Sequence, residues 1–305
     1  MTYISWNSLW NYSEHASLWY ALATRLVGKT WLGVPEAHRL RLVADQLVEQ
    51  LRAGRLADRP SWRKLLAEAI REALSPSESD SAARLAARLE DQQGNAGLAE
   101  RVQEFAQQWR LLFPGGPHEL ELRSRPLREL WEARATGFWR RLLVELGFPS
   151  QRPPCWKVFW TFPVCGGYGL VLPEEASLCM EAVLVNPHAA LPETVHLAWL
   201  IGQQLIWDCL DRNQVRPATV RAVGLAMLGP VLEAARYVEW LPSEGATIQD
   251  AARLWMDQPI SNREVSCLES IWTGAKDHES LLGRLMELEE AAENLGNGQD
   301  RDSHG

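Results

Sequence analysis

The stretch Glu193–Leu210 reads ETVHLAWLIGQQLIWDCL, and after a short polar break Pro217–Trp240 reads PATVRAVGLAMLGPVLEAARYVEW. Two segments so poor in polar residues, if helical, have to lie inside the protein, since a helix that is apolar nearly all round has no face to give to water. Beyond its first turn, only His196, Gln203, Gln204 and Asp208 interrupt the first one. At 100° per residue these four fit a sector of about 140°. Pro217 suits the first turn of the second helix, and Pro230 removes a backbone donor inside it.

Working outward, the chain before these helices changes period. Leu40, Val43, Leu47 and Leu51, then Trp62, Leu65, Leu66, Ala69, Ile70 and Leu74, recur at helical steps. Ser75–Ser81 is polar and contains a proline, which ends that helix. Leu98, Val102, Phe105, Trp109 and Leu112 form a further amphipathic run, closed by Pro114-Gly115-Gly116-Pro117, where a domain boundary is expected. Alternation then predicts a strand over His118–Ser124, with a helix following at 127–146. Trp156, Val158, Trp160 and Phe162 share one side of a second strand, and Leu178–Val185 is a third, ended by Asn186-Pro187. Ala246–Asp257 and Glu264–Asn294 read as helices. The expected fold class is α+β and predominantly α-helical: a helical N-terminal region (1–113), an α+β domain (118–295) with a small sheet of about three to four strands packed on the two buried helices, and a disordered tail (296–305).

Composition narrows the function classes. The chain has 305 residues, 46% of them hydrophobic, enough for a core without staples. Its five cysteines (Cys155, Cys165, Cys179, Cys209, Cys267) are odd in number and lack a CxxC pair, arguing against a disulfide framework and a structural zinc site. The start shows no basic n-region or apolar h-region, and the longest apolar run, Ala222–Leu232, is too short to span a bilayer; a cytoplasmic protein without a membrane segment is expected. The net charge of -8 disfavours nucleic acid as a partner. Fifteen tryptophans point to core packing, with Trp6, Trp10 and Trp19 the ones to watch for exposure.

Two short motifs carry possible chemistry. Ala23–Thr30, ATRLVGKT, satisfies the loose phosphate-loop pattern, yet its interior is Arg25-Leu26-Val27 and no buried strand feeds it. The reading is a helix that ends at Gly28, with Lys29 near its last carbonyls. Cys165-Gly166-Gly167-Tyr168-Gly169 lies between strands and reads as a turn with positive φ; a backbone-lined ligand loop is the alternative. The arginines from Arg123 to Arg141, interspersed with glutamates, read as a solvated mixed-sign face.

The layout from Met180 to Tyr237, an apolar strand followed by a buried helix from Glu193 and a second helix bearing Glu233, resembles the order of elements in metallopeptidases of the zincin class. Zincin chemistry needs two histidines one turn apart with a glutamate between them. His196 matches the first histidine, but Leu197 stands at the glutamate position and Leu200 at the second histidine. The resemblance therefore implies a scaffold without metal or general base, on which His196 and Glu233 are relics. No catalytic residue, metal or cofactor is expected.

The polar residues of the buried block define the candidate binding pocket: His196 and Gln203 on one helix, Glu233, Arg236 and Tyr237 on the other, with His188 at the rim. Local pairing of Glu233 with Arg236 at i+3 and Tyr237 at i+4 is the simpler account of the second group. Two readings stay open. One is a non-catalytic interaction or scaffold module with a protein partner; the other is a small-molecule-binding protein or degenerate zincin-like domain.

Overall fold

The computed structural model describes residues 9–31, 37–53, 59–73, 97–147, 156–210 and 216–256, with isolated positions between 84 and 90 and between 260 and 289. Within these, the chain is mostly helical with one four-stranded sheet, the α+β class expected. The elements are β1 (Trp10–Tyr12), α1 (Glu14–Leu26), α2 (His38–Ala53), α3 (Arg59–Ala73), α4 (Leu98–Leu112), α5 (Gly116–Glu145), β2 (Lys157–Thr161), β3 (Gly169–Leu172), β4 (Ser177–Glu181), α6 (Glu193–Gly202), α7 (Gln204–Trp207), α8 (Pro217–Tyr237) and α9 (Ile248–Trp255). Expectations about Ser75–Ser81, Trp6, Cys155, Cys267 and the 296–305 tail lie outside the described residues.

The chain divides into two compact units. One comprises 7–126 and 157–185, the other 127–156 and 186–305 with the first six residues. This differs from the division expected at Pro114–Pro117, and it regroups the sheet, which shares a unit with α1 to α4 while α6 to α9 belong to the other unit.

In the sheet-bearing unit the strand order is β1-β2-β4-β3. β1 runs parallel to β2 with Trp10 opposite Val158, and β2 parallel to β4 with Lys157 opposite Ser177 and Thr161 opposite Glu181. β3 is antiparallel to β4, pairing Gly169 with Met180. A central strand covered on both faces has no polar side to show, so Val158, Phe159, Trp160 and Thr161 are all buried rather than alternating. β1 was not anticipated: three residues are too few to display a period. Leu40, Val43, Leu47, Leu51, Leu65, Leu66, Ala69 and Ile70 are buried as their spacing requires. Trp10 and Trp19 are buried too, and among the tryptophans whose side chains are described only Trp240 is not.

The strand expected over His118–Ser124 is instead the beginning of α5. Leu120 and Leu122 alternate with charged residues, but Leu120 is buried while Leu122 is 55% exposed, which a shared strand face would not give. The deciding pattern is longer: Leu120, Ser124, Leu127, Trp131, Ala135, Phe138 and Leu142 recur at steps of three and four, and all are buried. Pro126 lies inside this helix on its exposed side, so the Leu122 carbonyl that loses its donor can turn to water.

In the other unit the two apolar helices are where the sequence puts them. Asn186 Oδ1 accepts the Glu193 N–H at the start of α6 (3.1 Å), and every residue of α6 and α7 is buried, with an interruption at Gln203. α8 carries Pro217 in its first turn and Pro230 inside. By length and composition it is apolar enough to cross a membrane (mean hydropathy 1.3 from Ala218 to Tyr237), yet 67% of that window is buried within the protein, as in the core helix of a globular domain. A capping box between Thr247 and Asp250 starts α9. Ser261 and Glu264 bond reciprocally in the same way, and the described positions from 264 to 289 are helical.

α6 packs on α8 through Gly224. Its carbonyl accepts the Trp199 indole N–H (2.8 Å), and a Cβ there would sit 3.1 Å from both Trp199 Cζ2 and Met256 Cε. Trp199 is pinned by that bond and cannot easily retreat. Gly224→Ala is therefore expected to lower unfolding free energy by about 1–3 kcal/mol in urea titration; an unchanged midpoint would mean that the helix pair has slack at this point.

Candidate functional site

The two glycine motifs singled out in the sequence meet in the sheet-bearing unit. The chain leaves β2 at Thr161 and re-enters the sheet at Gly169, on the far side of β4, so residues 162–168 must cross the end of β4, where Glu181 stands. A backbone crossing there has N–H groups with no ladder partner, and burial makes each one costly unless bonded. Glu181 supplies the acceptors. Its Oε1 receives the N–H of Val164 (3.0 Å) and Cys165 (2.7 Å), and its Oε2 those of Gly167 (2.7 Å) and Tyr168 (3.3 Å). Gly166 and Gly167 adopt φ of 86° and 105°, the left-handed conformations that let successive amides converge.

Four amides converging on an acid form an anion cradle, and here the anion is the protein's own carboxylate. Glu181 is fully buried; burial pushes its carboxyl above the usual range, against the pull of the four donors. The positive-φ turn read from the sequence is present, and the donors of the loop point inward. The Cys165 thiol is pushed up to about 12, first by burial and then by the Glu181 charge, so it is not a thiolate nucleophile.

α1 contributes the remaining groups. The Tyr20 hydroxyl donates to the Tyr168 carbonyl (2.9 Å), and burial, reinforced by Glu181, raises its pKa well above the phenol range. The helix ends as its sequence predicts: Gly28 has φ 84°, its N–H bonds the Arg25 carbonyl (3.0 Å), and the Lys29 N–H bonds the Thr24 carbonyl (2.9 Å), a Schellman cap. ATRLVGKT is thus a helix terminus rather than a phosphate loop. Lys29 Nζ lies 3.7 Å from the centroid of the Tyr168 ring. Burial lowers its pKa to about 8, a shift that the neighbouring acidic groups of Cys165 and Glu181 oppose.

The candidate residues of the other unit do not form one pocket. His196 is 1% exposed and forms a three-ring cluster with Trp199 (centroids 5.8 Å) and Trp255 (5.2 Å), whose own rings lie 5.3 Å apart, with His196 Nδ1 3.4 Å from Glu193 Oε2. Gln203 is also buried, and neither its Nε2 nor His196 Nε2 has a hydrogen-bond partner among the described residues. Glu233, in contrast, is 55% exposed and paired with Arg236, whose other terminal nitrogen donates to the Ala246 carbonyl (2.9 Å). Tyr237 is 66% exposed, with the Arg141 guanidinium 5.4 Å from its ring centroid. His188 is exposed. Glu233 and Arg236 are brought together as the i+3 spacing suggested; the inward-facing pocket joining them to His196 is not formed. At the positions where the zincin order calls for a glutamate and a second histidine, Leu197 and Leu200 are buried apolar residues.

Sequence reasoning passed over two features. Glu181 was visible as the one acid in an apolar strand, beside a glycine loop able to bond it. The other is an open groove of about 420 Å³ between α5 and the end of α8, lined by Ala133, Arg134, Gly137, Tyr237, Val238 and Glu239. A second cavity, of about 240 Å³, is lined mainly by Leu210, Ala222, Val223, Leu285 and Met286, with Cys209, Thr219 and Glu289 at its polar edge. No group of acids, histidines or cysteines among the described residues has the arrangement of a metal site.

No protein-family model matches the chain, and no significant match was found among curated proteins or solved structures.

Proposed function

We propose that this protein is a non-catalytic interaction module of the cytoplasm that engages a protein partner through the groove between α5 and the C-terminal end of α8. The observation that carries this reading is Tyr237, a large aromatic left 66% exposed beside that groove, with the Arg141 guanidinium against its ring and Arg134 in the groove wall. Tyrosine and arginine are the side chains that most often anchor protein interfaces, because each offers broad contact area with a polar tip. Leu130 and Val144, also on α5, are 56% and 61% exposed, adding apolar surface outside the core. Further support comes from the buried acids among the described residues, which are engaged within the fold: Glu181 on four amides, Glu264 on Arg221 (2.6 and 3.1 Å), and Glu193 beside His196 Nδ1 (3.4 Å). The free thiols Cys165, Cys179 and Cys209 suit a reducing compartment.

The test compares the full chain with Tyr237→Ala and Leu130→Asp in affinity capture from native lysate, with light scattering to read oligomeric state. Proteins retained by the wild type and lost from both variants, at about tenfold or greater depletion, are the expected result. Identical retained sets for all three proteins, or none above background, would sink the reading.

A further inference from the structure

Natural cores leave few voids larger than a water molecule, so the cavity of about 240 Å³ at the start of α8 calls for an occupant. Its walls are apolar: Leu210 after α7, Ala222 and Val223 on α8, and Leu285 from the helical stretch 285–289. Water finds few partners against such a lining, whereas an apolar molecule gains contact with all of it. Met286 stands at the cavity edge, 65% exposed, so the space is reached from solvent without unfolding. Since an apolar cavity of about 150 Å³ holds benzene, one of this size takes an apolar body of about nine non-hydrogen atoms.

The polar edge makes the site selective. Glu289 lies there, and its Oε1 accepts from both the Thr219 hydroxyl and Arg216. Its Oε2 has no hydrogen-bond partner among the described residues and is left to accept from a ligand. The Arg216 guanidinium offsets the carboxylate charge, so an ammonium entering here would lose its water without a full counter-charge in return. A hydroxyl donates to the same oxygen at a far smaller desolvation cost.

We infer that this cavity is a binding site for a small neutral apolar alcohol or phenol, with its hydrocarbon body against Leu210, Ala222, Val223 and Leu285 and its hydroxyl donating to Glu289 Oε2. The site lies at the other end of α8 from the groove that bears Tyr237, and it stands or falls independently of any protein partner there.

The full-length protein, isotope-labelled at its methionine methyls, is titrated with phenethyl alcohol, with ethylbenzene, which lacks the hydroxyl, and with phenethylamine, which carries a cation instead. The Met286 methyl resonance reads occupancy. The alcohol is expected to saturate with a midpoint at about 1 mM or below. The other two should bind about fivefold or more weakly. Glu289→Gln places an NH₂ where the free oxygen stood, so the alcohol should fall to the level of ethylbenzene while ethylbenzene itself is unchanged. Ala222→Leu fills the cavity and should abolish binding of both; should that variant not fold, the Glu289→Gln comparison still decides. A Met286 resonance that does not saturate with the alcohol, ethylbenzene or amine binding as tightly as the alcohol, or a hydroxyl preference that survives Glu289→Gln would overturn the proposal.

Discussion

Replacing Glu181 with alanine is expected to cost about 3–5 kcal/mol of unfolding free energy, the largest loss of any single polar substitution proposed for this chain. The reason is asymmetric. Each amide–carboxylate bond adds little over a bond to water, but deleting the acceptor strands four N–H groups, and Val164 lies where water does not reach. Glu181→Gln keeps one acceptor oxygen and sets an NH₂ against a pair of donors, so about half that loss is expected. Urea titration of the three proteins checks the order, alanine worst and wild type best. A loss below about 1 kcal/mol for alanine would mean that the loop finds other partners without strain.

The second large effect is a pH dependence carried by His15. It is buried on α1, edge-on to Trp19 (6.3 Å), with no hydrogen-bond partner for either ring nitrogen among the described residues and Nε2 3.9 Å from Glu72 Oε2. Burial lowers its pKa to about 4, with the charge of Arg84 adding to the shift. The unfolded chain takes up this proton near pH 6.5, the folded chain only near 4, so acidification favours the unfolded state throughout that window. Stability assignable to His15 is intact above about pH 6.5 and falls as pH drops toward about 4, by about 3 kcal/mol in all. In His15→Leu that component should disappear, so the wild-type-minus-variant difference must shrink steadily on acidification. A difference flat between those limits would contradict the account.

How much of this was legible in the sequence depends on the range of the interaction. The apolar composition of α6 and α8 announces burial by itself. The Schellman end at Gly28 and the Glu233–Arg236 pair are written within four residues, and both were readable. His118–Ser124 misled because two leucines at spacing two outweighed a buried pattern that becomes visible only when followed to Leu142. β1 is too short to show any period. The Glu181 cradle depends on the order β2-β4-β3, which sends one loop across the end of another strand, and no local pattern encodes that crossing. The same holds for Lys29 and Tyr168, far apart in the chain and in contact only through the fold. Exposure of Glu233 has no signal in the sequence: α8 reads as apolar all round, yet Glu233 and Tyr237 reach the surface while Val231, Leu232, Ala234 and Ala235 beside them stay buried.

Amide hydrogen exchange of the ligand-free protein, resolved at Val164, Cys165, Gly167 and Tyr168 and repeated in the presence of inorganic phosphate, addresses the claim that the chain fills its own anion cradle. Those amides should be protected in the wild type, exchange freely in Glu181→Ala, and be indifferent to phosphate. Rapid exchange in the wild type that slows when phosphate is added would show a cradle waiting for an outside anion, and the account given for Glu181 would fall.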